Sequence, residues 1–279
     1  MTDRRKFLKV AGLGTAVAAL PTIGKGAAHK SKSGANIKLG VASYNLREFT
    51  TAQALDMILR CGANRTTFKS MHLPLDSGPA TIKSTLELCK KKGVTLYGAG
   101  VITMKTKAEA DQAFEYAKAA KLEMIVGVAY PEILEYVEAK VKKYNVKMAI
   151  HNHGPGDDLY PSAEVAFEKI KHMDKRMGLC LDIGHTKRIN RDPEKDFIKY
   201  FDRIFDVHIK DVTPSEEHPE GYTCIMGRGD IDIVSFVRTV VDMAYQGTLS
   251  LEYEPEPKDP LPAMMASMGY LKGVLATMS

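Results

Sequence analysis

The chain is poor in cysteine and has no apolar run long enough to cross a bilayer. No two of its four cysteines have the Cys-x-x-Cys spacing of redox and zinc motifs. Cys61 and Cys89 lie in helical patterns and Cys180 lies in an apolar strand pattern, so we expect buried free thiols rather than disulfides. The uncharged stretch Val10–Ile23 is shorter than the ~20 apolar residues of a membrane-spanning helix.

Net positive charge is also scarce beyond the N-terminus, where acidic residues nearly balance the basic ones. Residues 1–28 hold five basic residues and one acidic residue, and so carry +4 of the whole chain's formal charge of +5. Two adjacent arginines, Arg4 and Arg5, precede the weakly apolar Val10–Ile23 stretch and a run of small residues, which is the order of a twin-arginine export signal. We therefore predict an export signal over 1–28, a flexible linker over 29–36 and a periplasmic mature protein. Because the mature part is nearly neutral, we expect no nucleic acid and no membrane among its partners.

The rest of the chain, from residue 37 to residue 279, alternates short apolar runs with longer stretches of helical period. The eight strand candidates are Ile37–Ser43, Arg65–Phe68, Val94–Gly98, Met124–Val128, Lys147–Ile150, Gly178–Asp182, Ile204–His208 and Thr248–Glu252. Eight strand–helix units predict an α/β fold with a single (β/α)₈ TIM barrel. An open doubly wound sheet is the alternative, but it would need a glycine-rich phosphate loop where Val41–Asn45 follows the first strand.

The stretches between the strands are amphipathic. Apolar residues recur every three or four positions, as in Ile233, Phe236, Val237 and Val240, which predicts helices with one face against the sheet. Methionines 264, 265 and 268 are interpreted as core residues of the last helix.

Polar side chains follow four consecutive strands at the point where each strand ends. His151 and His153 follow the fifth strand, and Asp182 and His185 the sixth. The seventh and eighth strands end in His208-Ile209-Lys210-Asp211 and Glu252-Tyr253-Glu254. Such residues converge on one face of a barrel, where carboxylates and imidazoles are ligands for Mn²⁺, Mg²⁺, Co²⁺ or Zn²⁺. A single histidine at a strand end is usually only a loop residue, but four equivalent positions favour one common divalent metal ion, and no thiol is expected beside it.

These motifs resemble the xylose isomerase-like barrels, the sugar phosphate isomerase/epimerase family. The resemblance covers nearly everything from Ile37 onwards and is sharpest in Leu181–His185, His208–Asp211, Gly227–Asp232, and the stretch from Tyr245-Gln246-Gly247 to Glu252. It implies that the metal is held by His151, Asp182, His208 and Glu252. It further implies that His185 contacts substrate oxygens and that the segment around Arg228 borders the substrate.

The chain departs from the family pattern at the fifth strand. Ketose 3-epimerases of the family use a glutamate there, paired with the glutamate of the eighth strand, whereas this chain offers His151 or His153. An imidazole in place of a carboxylate removes one negative charge and changes the available pKa. The departure favours the inosose dehydratase-type members of the family.

The resemblance implies a metal-dependent isomerase or epimerase that acts on a sugar or keto-sugar through an enediolate, with Mn²⁺ as the favoured ion. Because the protein is predicted to be exported, we expect an unphosphorylated carbohydrate substrate. Glu252 or His151 is the candidate base. His185, Lys210 and Lys69 are candidates for protonating a leaving hydroxyl, with His185 as the third catalytic candidate, or for holding substrate oxygens, and His153 is a further substrate-binding candidate. A lyase or hydratase of a keto-sugar derivative is the alternative, because loss of a hydroxyl can follow the same proton abstraction.

Two other classes of protein use the same fold. Endonuclease IV-like DNA repair enzymes need further zinc-binding histidines, but here the third strand supplies Tyr97, and Ile231-Asp232 follows Asp230. A non-catalytic sugar-binding barrel would keep the fold without binding a metal ion stoichiometrically. The sequence leaves the oligomeric state open, a homo-oligomer included.

Overall fold

The computed structural model describes residues 36–214 and 216–278. The predicted export signal over 1–28 lies outside these residues, as does the predicted linker over 29–36 apart from Asn36. Both therefore stay predictions from the sequence.

Eight parallel strands close into a barrel. The barrel strands are β1 (Lys38–Ala42), β2 (Arg65–Phe68), β3 (Thr95–Met104), β4 (Met124–Ala129), β5 (Lys147–His151), β6 (Met177–Asp182), β7 (Ile204–Ile209) and β10 (Thr248–Leu251). Their spatial order around the barrel is β1-β10-β7-β6-β5-β4-β3-β2. All eight fall where the apolar runs predict them, because strands buried on both faces are made of continuous apolar residues. The predicted single (β/α)₈ TIM barrel is thus confirmed, with β10 as its eighth strand.

One strand is longer than predicted. β3 continues to Met104 rather than ending at Gly98, and its register against β4 shifts between Ala99 and Ile102. Gly100 lies inside this irregularity, where glycine tolerates the departure from regular strand geometry.

Nine α-helices lie in the described ranges. They are α1 (Thr51–Arg60), α2 (Pro79–Lys92), α3 (Lys107–Ala119), α4 (Leu134–Tyr144), α5 (Ala163–Ile170), α6 (Ile183–Arg188), α7 (Pro193–Tyr200), α8 (Ile233–Asp242) and α9 (Leu261–Ala276).

Each long helix buries the apolar face that its period predicts. In α8 this face is formed by Ile233, Phe236, Val237 and Val240. In α9, Met264 and Met268 are fully buried, but Met265 is 43 % exposed, so its interpretation as a core residue is wrong. Consecutive residues of a helix point about 100° apart, so Met265 cannot share the buried face of Met264.

A short antiparallel hairpin follows β7. Its strands are β8 (Asp211–Thr213) and β9 (Tyr222–Cys224), and it precedes α8 on the chain. The sequence analysis did not predict it, because each strand has only three residues.

The barrel interior contains a buried polar group. Tyr97 donates its hydroxyl proton to Asp206 at 3.0 Å, and its oxygen lies 3.2 Å from the hydroxyl of Ser250, from which it can accept a hydrogen bond. Burial raises the pKa of Asp206 to about 7, because the carboxylate loses its hydration. Tyr97 therefore packs inside the barrel, between Met124, Val126 and Cys180.

All four cysteines are free thiols, and Cys61, Cys89 and Cys180 are buried, as expected. Among the described helices, none combines the length and the apolar character needed to span a membrane.

Candidate metal centre and active site

Four side chains from four neighbouring strands converge at the carboxyl end of the barrel. His151 and Asp182 end β5 and β6, His208 lies near the end of β7, and Glu252 follows β10 directly. Asp182 and His208 are paired in the register between β6 and β7. All four side chains are buried, with relative exposures between 0 and 5 %. The barrel therefore brings together the four residues that the family resemblance implies as ligands.

The donor atoms of these four residues lie within 4.8 Å of one another. His151 Nε2 is 3.0 Å from His208 Nδ1 and 3.4 Å from Asp182 Oδ2, and His208 Nδ1 is 3.1 Å from Glu252 Oε2. Atoms that bind one ion at about 2.1 Å are themselves roughly 3.0–3.4 Å apart in octahedral or tetrahedral sites. Three of the spacings fall in this range, and His208 Nδ1 lies 3.9 Å from Asp182 Oδ2, so the two imidazoles and two carboxylates can hold a divalent metal ion after small adjustments.

Three of the four groups have the protonation state of a metal ligand. The fourth, His208, is protonated: burial opposes this, but Cys180 and Glu252 raise the pKa of His208 well above its usual value. Burial lowers the pKa of His151 to about 4, so its imidazole is neutral at neutral pH. Burial opposes the ionisation of Asp182 and Glu252, but the neighbouring imidazoles and Lys210 outweigh it and hold the pKa of both carboxyls below the usual range. Both carboxyls are therefore anionic.

Lys210 is the buried cation of this cluster. Its side chain is 1 % exposed, and its Nζ lies 2.7 Å from Glu252 Oε2, 3.0 Å from Asp182 Oδ2 and 3.4 Å from Glu254 Oε1. Burial disfavours the ammonium form, yet the three carboxylates raise the pKa of Lys210 well above its usual value. Lys210 is a substrate-binding candidate from the sequence, and in the structure its ammonium lies against two of the four candidate metal ligands.

Asp182 has two separate tasks. Its Oδ1 accepts a hydrogen bond of 2.7 Å from the backbone N–H of His185 and so caps α6, which leaves Oδ2 facing the cluster. Gly184 follows in the same turn, where a Cβ atom would lie 2.5 Å from Lys210 Cδ and closer still to Cγ. The glycine of the Asp182–His185 motif therefore makes room for the lysine.

His185 lies at the edge of the cluster, with Nε2 3.9 Å from Asp182 Oδ2. Burial lowers the pKa of His185 to about 3, so the ring is neutral. Arg188 Nη1 lies 3.3 Å from Nδ1, and because arginine can only donate, the ring proton belongs on Nε2. Arg188 also contacts Glu220 at 3.1 Å. The sequence analysis missed Arg188, although its place one helical turn after His185 could have pointed to it.

The remaining candidates lie farther out. His153 has a side chain that is 36 % exposed, 3.1 Å from Asp157, and its ring centre is 4.4 Å from that of His151. Lys69 follows β2 and donates to the carbonyl of Val101 at 2.7 Å.

Arg228 is exposed, and within the ranges that the structure describes, no hydrogen bond or ion pair joins its side chain to the four donors. Its place beside the substrate stays a prediction.

Two further residues belong to this region. Asp211 accepts hydrogen bonds from the backbone N–H groups of Gly227, Gly229 and Ile231, and so holds the glycine-rich segment in place. Cys180 lies within 4.8 Å of the imidazole nitrogens of His151 and His208, so the expectation that no thiol lies beside the site is wrong. Residues two apart on a strand point to the same side, which brings Cys180 under Asp182. Burial raises the pKa of Cys180 to about 12, so it remains a thiol.

Residues 72–274 match the sequence profile of the xylose isomerase-like TIM barrel. The chain belongs to this family.

Curated relatives include a dehydratase. The chain is 23 % identical to the inosose dehydratase of Lacticaseibacillus casei over 255 residues, which cover 76 % of this chain and 84 % of that protein. It is 25 % identical to the rhizopine catabolism protein MocC of Rhizobium meliloti over 155 residues. That second match spans 51 % of this chain and about half, 47 %, of MocC.

Solved structures share the barrel. A protein from Parabacteroides distasonis superposes with a TM-score of 0.67 at 25 % identity, covering 85 % of this chain and 99 % of its own. The 3-keto-D-glucoside 4-epimerase YcjR of E. coli has a TM-score of 0.69 at 14 % identity, over 85 % and 99 % of the two chains. A xylose isomerase-like protein of Mycobacterium smegmatis in complex with magnesium has a TM-score of 0.66 at 12 % identity. The superposition covers 88 % of this chain and 99 % of that protein. The last two likenesses concern the fold alone.

The close approach of Gly184 and Lys210 predicts that a methyl group at position 184 destabilises the protein. Gly184→Ala should lower the free energy of unfolding by about 1–3 kcal/mol, because the new Cβ meets the buried lysine stem. Gly273→Ala is the matched control, since a Cβ there meets nothing within 4 Å and alanine favours the helix by about 0.5–1 kcal/mol. Urea denaturation of both variants measures the two effects. Equal stability of the two variants would contradict the close approach at Gly184.

Proposed function

We propose that the protein is a divalent-metal-dependent enzyme that removes a proton beside the carbonyl group of an unphosphorylated keto-sugar derivative and expels a neighbouring hydroxyl group as water. The observation that carries this proposal is the meeting of His151, Asp182, His208 and Glu252 at distances that suit one ion. Membership of the xylose isomerase-like family supports it independently.

The ion would supply Lewis acidity, polarising the substrate carbonyl and stabilising the enediolate that follows proton removal. Glu252 is the candidate base, because its carboxyl is held in the anionic form. The Nε2–H of His185 points towards Asp182 and can donate a hydrogen bond to a substrate oxygen. Lys210 supplies an ammonium within reach of both Glu252 and Glu254, from which the leaving hydroxyl can accept a hydrogen bond. Burial of all these groups keeps water away from the reacting carbon.

The residue that ends the fifth strand favours elimination over epimerisation by two glutamates. His151 places an imidazole where that epimerisation uses a carboxylate, and burial lowers the pKa of His151 to about 4, so it is a weak base at neutral pH. Similarity to an inosose dehydratase over 76 % of the chain points the same way.

An isomerase or epimerase is the second candidate. It needs the same proton abstraction and the same ligands, and a single base that returns the proton to another carbon requires no second carboxylate. Unlike elimination, it would leave the mass of the substrate unchanged in ordinary water.

Manganese binding is the first test of the proposal. Asp182→Asn should weaken Mn²⁺ binding by at least about 100-fold, because it removes one anionic ligand from a buried site. Asp242→Asn removes the same charge from an exposed position at the end of α8 and should leave the affinity unchanged. Isothermal titration calorimetry on chelator-stripped protein measures both. If the wild type took up no ion, the non-catalytic sugar-binding alternative would replace the enzyme.

Reaction in deuterated water separates the two candidate reactions. With Mn²⁺ and a panel of keto-sugars and keto-cyclitols, mass spectrometry should detect a product lighter than the substrate by one water. Glu252→Gln should abolish both this product and solvent exchange at carbon. A product that gains deuterium without losing water would instead establish the isomerase or epimerase.

The proposed location is the periplasm, which is the reason for expecting an unphosphorylated substrate. Replacing Arg4 and Arg5 together by lysine keeps the charge but removes the twin-arginine signature, so the chain should stay in the cytosol. Lys9→Arg, an equally conservative change nearby, is the control. Cell fractionation with immunoblotting measures the distribution, and normal export of the double variant would refute this route.

A further inference from the structure

The ammonium of Lys210 contacts the same two oxygens that a metal ion would bind. Nζ lies 2.7 Å from Glu252 Oε2 and 3.0 Å from Asp182 Oδ2. The same two oxygens face the imidazoles. Glu252 Oε2 is 3.1 Å from His208 Nδ1, and Asp182 Oδ2 is 3.4 Å from His151 Nε2. The lysine and the ion therefore compete for one pair of carboxylates.

The two cations cannot share this pair without a large repulsion. An ion held by Asp182 and Glu252 would lie within a few ångströms of the ammonium that is paired with the same carboxylates. Repulsion at such a distance is strong in a buried site of low dielectric constant. Binding of an ion would therefore favour movement of the ammonium away from this pair.

The carboxylate of Glu254 is close enough to accept the displaced ammonium of Lys210. Glu254 Oε1 is 3.4 Å from Lys210 Nζ, and the Glu254 side chain is 32 % exposed, so it lies on the solvent side of the buried pair. Glu254 is not among the four candidate ligands. The stem of Lys210 runs against Gly184, which leaves the outer end of the side chain as the part that can swing.

We propose that Lys210 is the internal counter-ion of the metal-free site and that Glu254 receives its ammonium when a divalent ion binds. Metal binding is then an exchange of cations on Asp182 and Glu252. Lys210 and Glu254, which do not bind the ion, partly determine its affinity. This inference rests on the proposed metal dependence and adds a determinant of metal affinity to it.

The test is the Mn²⁺ affinity of four proteins, measured by calorimetry and by the electron paramagnetic resonance of free Mn²⁺, with no substrate present. Lys210→Met should bind Mn²⁺ at least about tenfold more tightly than the wild type, because no ion pair has to be broken. Glu254→Gln should bind it about fivefold more weakly, because the displaced ammonium loses its partner. In the Lys210→Met background, the same Glu254→Gln change should have a much smaller effect.

Glu256→Gln is the matched control, since it removes an exposed carboxylate from the same loop. Equal affinities of the wild type and Lys210→Met overturn the exchange while leaving the metal site intact. Absence of Mn²⁺ binding in both proteins contradicts the proposed function itself. If Lys210→Met does not fold, the comparison of Glu254→Gln with Glu256→Gln decides, and equal affinities of these two variants overturn the proposal.

Discussion

Two carboxylates buried side by side, those of Asp182 and Glu252, impose the constraint that the rest of the site meets. Anions without water are costly unless cations and hydrogen-bond donors compensate them. Here the compensation comes from Lys210 and His208, both within 3.1 Å of Glu252, and Lys210 also reaches Asp182. The two carboxylates therefore favour a cation beside them. In the structure this cation is the ammonium of Lys210, and a divalent metal ion would meet the same requirement.

Hydrogen bonds to nearby backbone amides hold the acidic residues of the site in place. Asp182 divides its oxygens between the first turn of α6 and the cluster, so the same residue that starts the helix also faces the site. Asp211, at the end of the lysine motif, uses its carboxylate to hold three backbone amides of the glycine-rich segment. Motifs that look like candidate catalytic groups in the sequence are thus partly scaffolding for their neighbours.

The sequence predicted the barrel and most strand bounds, because continuous apolar runs report burial on both faces directly. It also predicted which strand ends carry ligand-type residues, from the residues that follow β5, β6, β7 and β10. It did not predict contacts that cross strands, such as Lys210 with Asp182 or Cys180 with His208, since these depend on stagger and side-chain direction. Alternation along β6 could have placed Cys180, whereas the hairpin formed by β8 and β9 is too short to leave a pattern.

Gly184 and Lys210 lie on consecutive strand–loop units. The stem of Lys210 occupies the space that a side chain at position 184 would need. A side chain at position 184 and the long stem at position 210 would crowd each other, so the two positions form a single steric unit in this chain. The absence of a side chain at the start of α6 is therefore part of what allows a buried lysine to neutralise the two carboxylates.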